Sequence, residues 1–517
     1  MNRGRCDRNE DGSRRTAIPA RPGFASCRES GYDGLLAPTF SMDKNQALDA
    51  VFNLKSVAIV GVAPGQGYNS GRLFLEHIIE YGFKGGIYPV NPKGGEIHGL
   101  KIYPNLRDIA GPVDYVISCI PARLVPQLLR DAAFKGVKAV GMFTSGFSEL
   151  STREGRELER EIIEIARATG VRVIGPNCLG IHSPKAGFSY APDFPRETGH
   201  VSFLCQSGGQ SAYLVRAAAA RGIRFNKVIS YGNGADIDET DLIRYFQQDP
   251  ETKMIAAYIE GVRGGRRFYD ALGETARSKP VVIVKGGRTP AGSVAAASHT
   301  ASLAGSDRVW RSIVRQAGAI GVDSMDEVAD LLVTLTYLSP PAGRRVAMVG
   351  MGGGAAVLST DEWEEHGFTL PRLSDRMTAA WKKAVGNETG TILNNPLDVP
   401  NLGSAAAVHD ALRSLRAFEG IDLLVFHAPL RGMMIPVAAT AAIFEEEART
   451  VVKLNQEPGK PLAVVLHSQA NSQGWELSEK QAKTYYEAGL PVYYSAASAA
   501  KAIDRFLWYT ANCGVPG

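Results

Sequence analysis

The chain reaches its first regular pattern at Ser56-Val-Ala-Ile-Val-Gly-Val-Ala-Pro-Gly-Gln-Gly-Tyr-Asn-Ser-Gly71. Its first five residues, rich in Val and Ile, are typical of a buried strand, and the glycines that follow permit a tight turn. A helix should then start near Ser70. Such a strand–turn–helix unit opens a crossover in a parallel α/β sheet. The backbone amides of the turn, together with the positive end of the helix, could bind a phosphate group.

The same alternation of short apolar runs and longer amphipathic runs continues along the chain in three blocks. We predict three α/β domains, over residues 42–195, 196–338 and 344–517. A Ser-Pro-Pro-Ala-Gly linker at residues 339–343 separates the last two. All three are expected to hold open, mostly parallel sheets, whose ligands bind beyond the carboxyl ends of the strands.

The composition excludes several classes of protein. The 517 residues are 44% hydrophobic with a net charge of +4, which leaves no broad electrostatic footprint for nucleic acid. No uncharged apolar run is long enough to cross a bilayer, and the amino terminus lacks the apolar region of a secretory signal. The six cysteines show neither metal-ligand spacing nor a close-set disulfide framework. We therefore expect a cytoplasmic protein without a metal site, a nucleic-acid partner or a membrane contact.

Residues 1–41 differ from the rest of the chain. They carry seven arginines and five acidic residues among many Gly, Ser and Pro, with little apolar periodicity. This composition predicts a disordered amino-terminal extension. Its acidic residues argue against an organellar transit peptide.

A single histidine, His299, lies in a segment of mostly small residues that runs from Lys285 to Gly305. A neutral imidazole is a good nucleophile, so it can accept a phosphoryl group. Few large side chains hold this segment in a core, so the ring could move between two sites. The alternative interpretation is a buried, alanine-rich helix with a structural histidine.

Two further glycine turns follow predicted strands. The turn Gln206-Ser-Gly-Gly-Gln210 precedes an alanine-rich helix, and its amides with the Ser207 hydroxyl could bind an anion. Gly350-Met-Gly-Gly-Gly354 repeats the pattern in the third block, so two helix N-termini could face one phosphate. A tight turn that uses glycine only for packing is the alternative.

Three single residues near predicted strand ends are candidates for ligand contacts. The carboxylate of Glu260 could hydrogen-bond an imidazole N–H and support the charge of a phosphorylated ring. Lys93 follows the strand end where a dehydrogenase would have an acidic residue, which favours an additional phosphate, as in CoA or NADP. Asn177 could orient a ligand through its amide. A structural glutamate, a solvated lysine and an ordinary Pro-Asn turn are the alternatives.

Together these residues resemble the α subunit of nucleoside-diphosphate-forming acyl-CoA synthetases, the ADP-forming acetate–CoA ligase group related to succinyl-CoA synthetase. The resemblance covers about residues 46–510 and is carried by Ile87-Tyr-Pro-Val-Asn-Pro-Lys93, Gly175-Pro-Asn-Cys-Leu-Gly-Ile181, Ser207-Gly-Gly, Tyr258-Ile-Glu-Gly, Ser298-His-Thr and Asn395-Pro-Leu-Asp398. It implies a Rossmann-like CoA-binding domain followed by two flavodoxin-like ligase domains. The chain departs from the family at Ala301, often a glycine, and in the turn from Gly61 to Gly71.

The resemblance also implies a role for each candidate residue. His299 would be the phosphohistidine on a swinging loop, oriented by Glu260. The phosphate would be held by Ser207, Gly208, Gly209, Gly352, Gly353 and Gly354. CoA would be bound by Gly61, Val62, Ala63, Asn69, Asn91, Pro92, Lys93, Ile120, Pro121 and Asn177.

Enzymes of this group need an ATP-grasp module, for which no segment of the chain is left. We therefore expect a separate ATP-grasp β subunit in an α2β2 assembly, which would bind ATP or ADP with Mg²⁺. The expected reaction interconverts a carboxylic acid, CoA and ATP with acyl-CoA, ADP and phosphate, through an acyl phosphate. The alternatives are a CoA-dependent acyl or carbamoyl transferase without the ATP step, a non-catalytic CoA-binding protein and an NADP oxidoreductase.

Overall fold

The structure is a computed structural model, and it describes residues 43–65, 67–300, 306–350, 353–385, 392–398, 405–428, 437–467 and 472–514. Within helices, only the backbone is described at residues 297–300, 353, 384–385, 405, 407, 437–444 and 472–475. The extension predicted at residues 1–41 lies outside the described part of the chain. None of the helices in these ranges is long and apolar enough to cross a membrane.

The first sheet has five parallel strands in the order β2-β1-β5-β6-β7. They are β1 (Ser56–Val60), β2 (Gly86–Val90), β5 (Tyr115–Ser118), β6 (Ala139–Met142) and β7 (Arg172–Ile174), with a separate hairpin of β3 (Gly95–Ile97) and β4 (Leu100–Ile102). The associated helices are α1 (Lys44–Phe52), α2 (Ser70–Tyr81), α3 (Val125–Lys135) and α4 (Arg153–Thr169). Helices cover both faces, so β1 is buried along its whole length, as its run of Val and Ile predicts.

The second sheet has seven strands in the order β14-β13-β12-β10-β11-β8-β9. They are β8 (Gly180–Ser183), β9 (Phe188–Ser189), β10 (Val201–Cys205), β11 (Phe225–Ser230), β12 (Met254–Ile259), β13 (Val281–Lys285) and β14 (Ile320–Val322). The helices are α5 (Gly208–Ala219), α6 (Glu239–Gln248), α7 (Gly265–Ala276), α8 (Pro290–Thr300), α9 (Asp307–Gln316) and α10 (Met325–Tyr337). Strand β8 pairs antiparallel with β11, so the chain changes sheet before residue 180, ahead of the boundary predicted at residue 195.

The third sheet has six strands in the order β16-β17-β15-β18-β19-β20, of which β16 is antiparallel to β17. They are β15 (Val346–Gly350), β16 (Ile392–Leu393), β17 (Leu397–Asp398), β18 (Leu423–Ala428), β19 (Leu462–Leu466) and β20 (Val492–Tyr493). The helices are α11 (Gly353–Glu365), α12 (Asp375–Val385), α13 (Ala405–Ala417), α14 (Val437–Asn455), α15 (Ser472–Glu487) and α16 (Ala496–Cys513).

Each sheet contains five parallel strands with one shared order: β2-β1-β5-β6-β7, β11-β10-β12-β13-β14 and β17-β15-β18-β19-β20. Counted along the chain, the first strand of each set lies between the second and the third, so the crossovers leave it in opposite directions. This is the flavodoxin-like order, whose ligands bind at the carboxyl ends of the strands where the direction reverses. The turns to inspect are therefore those that follow β1, β10 and β15.

A buried arginine, paired within the second domain, also contacts the third sheet. Arg221 donates from Nη1 to Asp330 Oδ1 at 2.7 Å and from Nη2 to the carbonyl oxygen of Val492 at 2.6 Å. Beside it, the hydroxyls of Thr334 and Tyr493 lie 2.8 Å apart. These contacts tie α10 to the edge of the third sheet, and α16 packs along α10.

Candidate functional site

A cavity of about 430 Å³ lies beyond the carboxyl ends of β1, β2 and β5, at the reversal point of the first sheet. Seven of the predicted CoA contacts line it: Gly61, Ala63, Asn69, Asn91, Pro92, Ile120 and Pro121. Residues on α3 and just before it also line the cavity and were not predicted, among them Leu124, Gln127 and Asp131. Their only sequence signal is that they follow Pro121 along the chain.

The glycines of the first turn are required by close backbone contacts. Gly61 has a φ of +108°, and a Cβ there would lie 2.5 Å from the carbonyl oxygen of Cys119. A Cβ on Gly71 would lie 2.7 Å from the backbone of Gly61, so only glycine lets α2 approach the turn. Asn69 caps α2 and closes the turn: its Oδ1 accepts from the amides of Arg72 and Ala63, and its Nδ2 donates to Gly61 O.

Three predicted CoA contacts do not line this cavity. Val62 is fully buried in the core. Lys93 lies outside the lining, although its amide donates to Asn91 Oδ1 at 3.0 Å and so helps to fix Asn91. Asn177 has a φ of +59° in the turn after β7, where its backbone N–H donates to Thr144 O at 3.0 Å.

Glu260 lies at the reversal point of the second sheet, directly after β12 and one strand from the end of β10. It is only 4% exposed, and three side chains hold it. Gln206 Oε1 accepts from the amide of Glu260 at 2.7 Å, and the Tyr258 hydroxyl donates to Glu260 Oε1 at 3.1 Å. The ammonium of Lys285 donates to the carbonyl oxygen of Glu260 at 2.7 Å. Both the backbone and the carboxylate of Glu260 are thus fixed.

Sequence reasoning missed these three bracing residues. Tyr258 stands two positions before Glu260, and residues two apart on a strand share a face. Lys285 ends β13, where it is paired in register with Ile259. Gln206 directly follows β10, the strand that lies beside β12. The spacing of Tyr258 was a usable signal, whereas the other two require the strand order.

Burial changes the acid–base behaviour of this group. It raises the pKa of Tyr258, and the neighbouring Glu260 carboxylate adds to the effect, so the hydroxyl stays a hydrogen-bond donor. Burial lowers the pKa of Lys285, against the opposing influence of Glu260 and Asp307.

A cavity of about 570 Å³ opens beside Tyr258 and Lys285 and reaches Gln210 in the first turn of α5.

Helix α5 begins at the turn predicted to bind phosphate. Ser207 is its N-cap, and the Ser207 Oγ accepts from the amide of Gln210 at 3.4 Å. A Cβ on Gly208 would lie 2.7 Å from the side chain of Leu179, so glycine allows the helix start to pack on the chain from the first sheet. Gly209 has open space instead, with no contact closer than 4.0 Å. The helix start and Glu260 therefore lie at the same edge of the sheet.

The third turn follows β15. Gly350 has a φ of +89°, and a Cβ there would lie 2.1 Å from the carbonyl oxygen of His427 on β18. Helix α11 begins at Gly353, and a Cβ on Gly354 would meet open space. Gly352 lies outside the described residues. A glycine-headed helix thus starts at the reversal point of the third sheet, as it does in the second.

The backbone of His299 lies near the end of α8, and its side chain is outside the described part of the structure. The preceding residues of α8 are only partly buried: Val294 is 69% exposed, whereas Ala296 is 7% exposed. The exposed Val294 does not fit the alternative of an alanine-rich helix buried on all sides. The pairing of His299 with Glu260 stays a prediction.

Within the described residues, no group of His, Cys, Asp and Glu side chains could hold a metal ion. The four described cysteines, Cys119, Cys178, Cys205 and Cys513, are free thiols.

Comparison with known proteins agrees with this arrangement. Residues 55–184 match a family described as a CoA binding domain, and residues 198–335 match one described as a succinyl-CoA ligase like flavodoxin domain. The α subunit of ADP-forming acetate–CoA ligase I from Pyrococcus furiosus is 34% identical over 469 residues, which cover 89% of this chain and 96% of that protein.

Two further comparisons extend this result. ADP-forming acetate–CoA ligase I from Archaeoglobus fulgidus is 34% identical over 382 residues, 73% of this chain but only 54% of that longer protein. Among solved structures, the Candidatus Korarchaeum cryptofilum dinucleotide forming acetyl-coenzyme A synthetase 1, in complex with phosphate and ADP, superposes with a TM-score of 0.75 at 28% identity. The superposition covers 90% of this chain and 97% of that one.

Proposed function

Since the chain belongs to the family of ADP-forming acetate–CoA ligase α subunits, we propose that His299 carries a phosphoryl group between an acyl-phosphate site on this chain and a nucleotide site on a partner. The enzyme is an acid–thiol ligase. It interconverts a carboxylic acid, CoA and ATP with acyl-CoA, ADP and phosphate. The observation that carries the proposal is the rigidly held Glu260 carboxylate beside the Ser207-capped start of α5.

Thioester synthesis proceeds in two transfers on this chain. The phosphorylated imidazole of His299 gives its phosphoryl group to a carboxylate oxygen of the acid, which forms an acyl phosphate and a neutral imidazole. The sulfur of CoA then attacks the acyl carbon, the bond from that carbon to the phosphate oxygen breaks, and the thiol proton leaves with the departing phosphate or to water. In reverse, phosphate attacks the thioester and His299 takes the phosphoryl group from the acyl phosphate.

The described residues supply electrostatic support for these transfers. Ser207, Gly208 and Gly209 present the amides of a helix start to phosphate oxygens, and Gly353 and Gly354 do the same on α11, together with Gly352 before it. Glu260 accepts a hydrogen bond from the ring N–H of His299, which fixes the tautomer and stabilises the positive ring. Gln206 holds the backbone of Glu260 and the Tyr258 hydroxyl holds its carboxylate, so the carboxylate stays in place as the ring arrives and leaves.

CoA occupies the cavity of the first sheet in this proposal. Asn69 holds the turn after β1 open toward the cavity, and Asn91 and Pro121 border it from the neighbouring strand ends. The space of about 430 Å³ is within the range of small-molecule sites, which run from about 300 to 1,000 Å³. Val62, Lys93 and Asn177 remain proposed contacts, although they do not line the cavity.

The nucleotide is bound elsewhere. A separate ATP-grasp β subunit, in an α2β2 assembly, holds ATP or ADP with Mg²⁺ and exchanges the phosphoryl group with His299. This is supported by the name of the Pyrococcus furiosus relative, an α subunit whose length this chain matches at 96%. The reducing cytoplasm is the proposed location, in keeping with the free thiols of the described cysteines.

The test is synthesis of acyl-CoA from acid, ATP and CoA by the complex isolated from its native source. His299→Ala should lower kcat by at least about a thousandfold, because the phosphoryl carrier is removed. The control is His366→Ala, a surface histidine after α11. Normal acyl-CoA synthesis by His299→Ala would end the proposal, and CoA-dependent acyl transfer without ATP would favour the transferase alternative.

A further inference from the structure

A third cavity, of about 490 Å³, lies between α9, β14 and α16. Apart from Lys285 at its inner wall, its lining takes no part in the proposed function. Two tryptophans, Trp310 and Trp508, form part of the wall. The other prominent members are five arginines: Arg288, Arg311, Arg315, Arg344 and Arg505.

The positive charge of this cavity exceeds the negative charge that faces it. The acidic residues in its lining are Asp307, which pairs with Arg311 at 2.7 Å, and Asp504, which pairs with Arg344. Behind the wall, the single carboxylate of Asp323 accepts from Arg288 at 2.5 Å, from Arg311 at 2.7 Å and from Arg505 at 3.3 Å. Glu327 is likewise shared, between Lys501 and Arg505. Several guanidinium groups therefore share a small number of carboxylates. The excess positive charge favours the binding of an additional anion.

Of the five arginines in the lining, Arg315 is the one with no acidic partner among the described residues. Its guanidinium lies over the ring of Trp508 at 5.7 Å. It is exposed on α9, at the mouth of the cavity. An arginine held in place by an aromatic ring keeps its planar fork of donors available for a phosphate group.

The tryptophans give the cavity rigid, flat walls. Trp310 stacks on Phe268 with ring centroids 5.6 Å apart and an angle of 19°. Lys285 lies 5.9 Å from the centroid of the same ring. Such rings contribute large contact area at low entropic cost and suit a planar aromatic ligand. The cavity volume also fits a ligand of drug-like size.

We propose that this cavity is a second ligand site, which binds a nucleotide: a planar base against the tryptophans with its phosphates on Arg315 and Arg311. The shared chemistry of an aromatic base and a phosphate occurs both in free ADP and in the nucleotide half of CoA. Because Lys285 contacts both the cavity and the carbonyl of Glu260, an occupant would lie directly behind the residue that is proposed to orient the histidine.

The experiment measures binding of radioactive ADP to the full chain by equilibrium dialysis, with CoA, adenosine and inorganic phosphate as competitors. ADP is expected to bind, and adenosine or phosphate alone to compete at least about tenfold more weakly, because each supplies half of the contacts. CoA competing as well as ADP would identify the nucleotide half of CoA as the ligand, and CoA failing to compete would identify free ADP.

Variants assign the bound ADP to this cavity rather than to the cleft of the first sheet. Arg315→Ala should weaken ADP binding by about tenfold or more, since a charge-assisted contact is lost from an exposed position that the fold does not need. The matched control, Arg266→Ala, removes an arginine that is 85% exposed on α7 and should bind as the original chain does. Melting temperatures of both variants confirm that they fold.

The proposal is overturned if the chain binds no ADP at millimolar concentration, or if Arg315→Ala leaves the ADP affinity unchanged. Competition by phosphate as strong as that by ADP would also contradict it, because the tryptophans would then play no part. His299→Ala should bind ADP normally. The outcome is therefore independent of the phosphohistidine chemistry.

Discussion

Glu260 is held in place by hydrogen bonds with three neighbouring side chains. Its backbone is fixed by Gln206 and Lys285, and its carboxylate accepts from the Tyr258 hydroxyl. A carboxylate that must meet a mobile ring gains from being held in advance, because no ordering is then needed when the ring arrives. Tyr258 is accordingly a positioning residue in the proposed reaction.

Tyr258→Phe tests this role. It should slow formation of the phosphohistidine by about tenfold, since one hydrogen bond to a charged carboxylate is lost while the ring still packs. The KM for CoA should not change, because Tyr258 lies outside the lining of the first cavity. Single-turnover labelling with acyl-CoA and radioactive phosphate measures the rate, with Tyr269→Phe on α7 as control. Equal rates for the two variants would show that Tyr258 does not position Glu260.

Glu239, the first residue of α6, provides a prediction about pH. It is 2% exposed, and burial, with a smaller effect of Asp238, raises its pKa from 4.5 to about 7. Between these values the folded chain binds more protons than the unfolded chain, so its stability falls as the pH rises toward 7.

Glu239→Gln should therefore raise the melting temperature at pH 8 by a few degrees and have little effect at pH 4.5, where the original carboxyl is protonated in the fold. Thermal unfolding at the two pH values measures the difference. Glu274→Gln, at an exposed position on α7, is the control. A gain that is equal at both pH values would contradict the raised pKa.

Among elements, the turn between β1 and α2 sets the shape of the first cavity. Gly71→Ala should weaken CoA binding by about tenfold or more, because its Cβ would lie 2.7 Å from the backbone of Gly61 and push α2 away. Titration of the chain with CoA measures the change. Gly273→Ala in α7 is the control, since a Cβ there meets nothing within 4 Å. Unchanged CoA affinity in Gly71→Ala would place CoA outside this cavity.

The long strands could be predicted because they are buried on both faces. Ser56–Val60, Met254–Ile259 and Leu462–Leu466 are continuous apolar runs, which sequence reasoning recognises directly. The short strands β8 and β9 carry no such run, and their place in the second sheet depends on pairing with β11. Register between distant segments decides that pairing, and a local pattern does not contain it.

In the candidate site, too, some residues could be located from a local sequence pattern, whereas others depend on which strands lie side by side. Glu260, Ser207 and Gly61 could be located because they follow apolar strands, and parallel sheets bind ligands at those ends. Gln206 and Lys285 could not be connected to Glu260, since their contacts exist only when β10, β12 and β13 lie side by side. Asn177 was assigned to CoA from the family resemblance; it does not line the cavity, its backbone N–H donates to Thr144 O, and its role stays a prediction.

In the molecule as a whole, Arg221 pairs with Asp330 on α10 and also donates to the carbonyl oxygen of Val492 at the edge of the third sheet. Both charged residues are less than a tenth exposed, and burial raises the pKa of Asp330 while Arg221 opposes the shift. Removing one partner leaves a buried charge without compensation. The Arg221–Asp330 pair should therefore affect the free energy of unfolding more than an exposed ion pair of the same length does.

Arg221→Ala should lower the free energy of unfolding by about 3 kcal/mol. The double variant Arg221→Met with Asp330→Leu should lose less, because both charges are gone. Denaturant unfolding measures both, and Arg153→Ala, which breaks an exposed pair with Glu157 on α4, is the control. An effect of Arg221→Ala as small as that of the control would show that Arg221 does not stabilise the packing of the third sheet on the second domain.

The central claim is that His299 becomes phosphorylated, and localising the phosphate tests it most directly. The full chain is incubated with acyl-CoA and radioactive phosphate, digested at alkaline pH, and its labelled peptide is sequenced by mass spectrometry. The account predicts one labelled site, at His299, which loses its phosphate in acid. An acid-stable label, a label on another residue, or an unlabelled chain that still releases CoA from acyl-CoA in the presence of phosphate would contradict it.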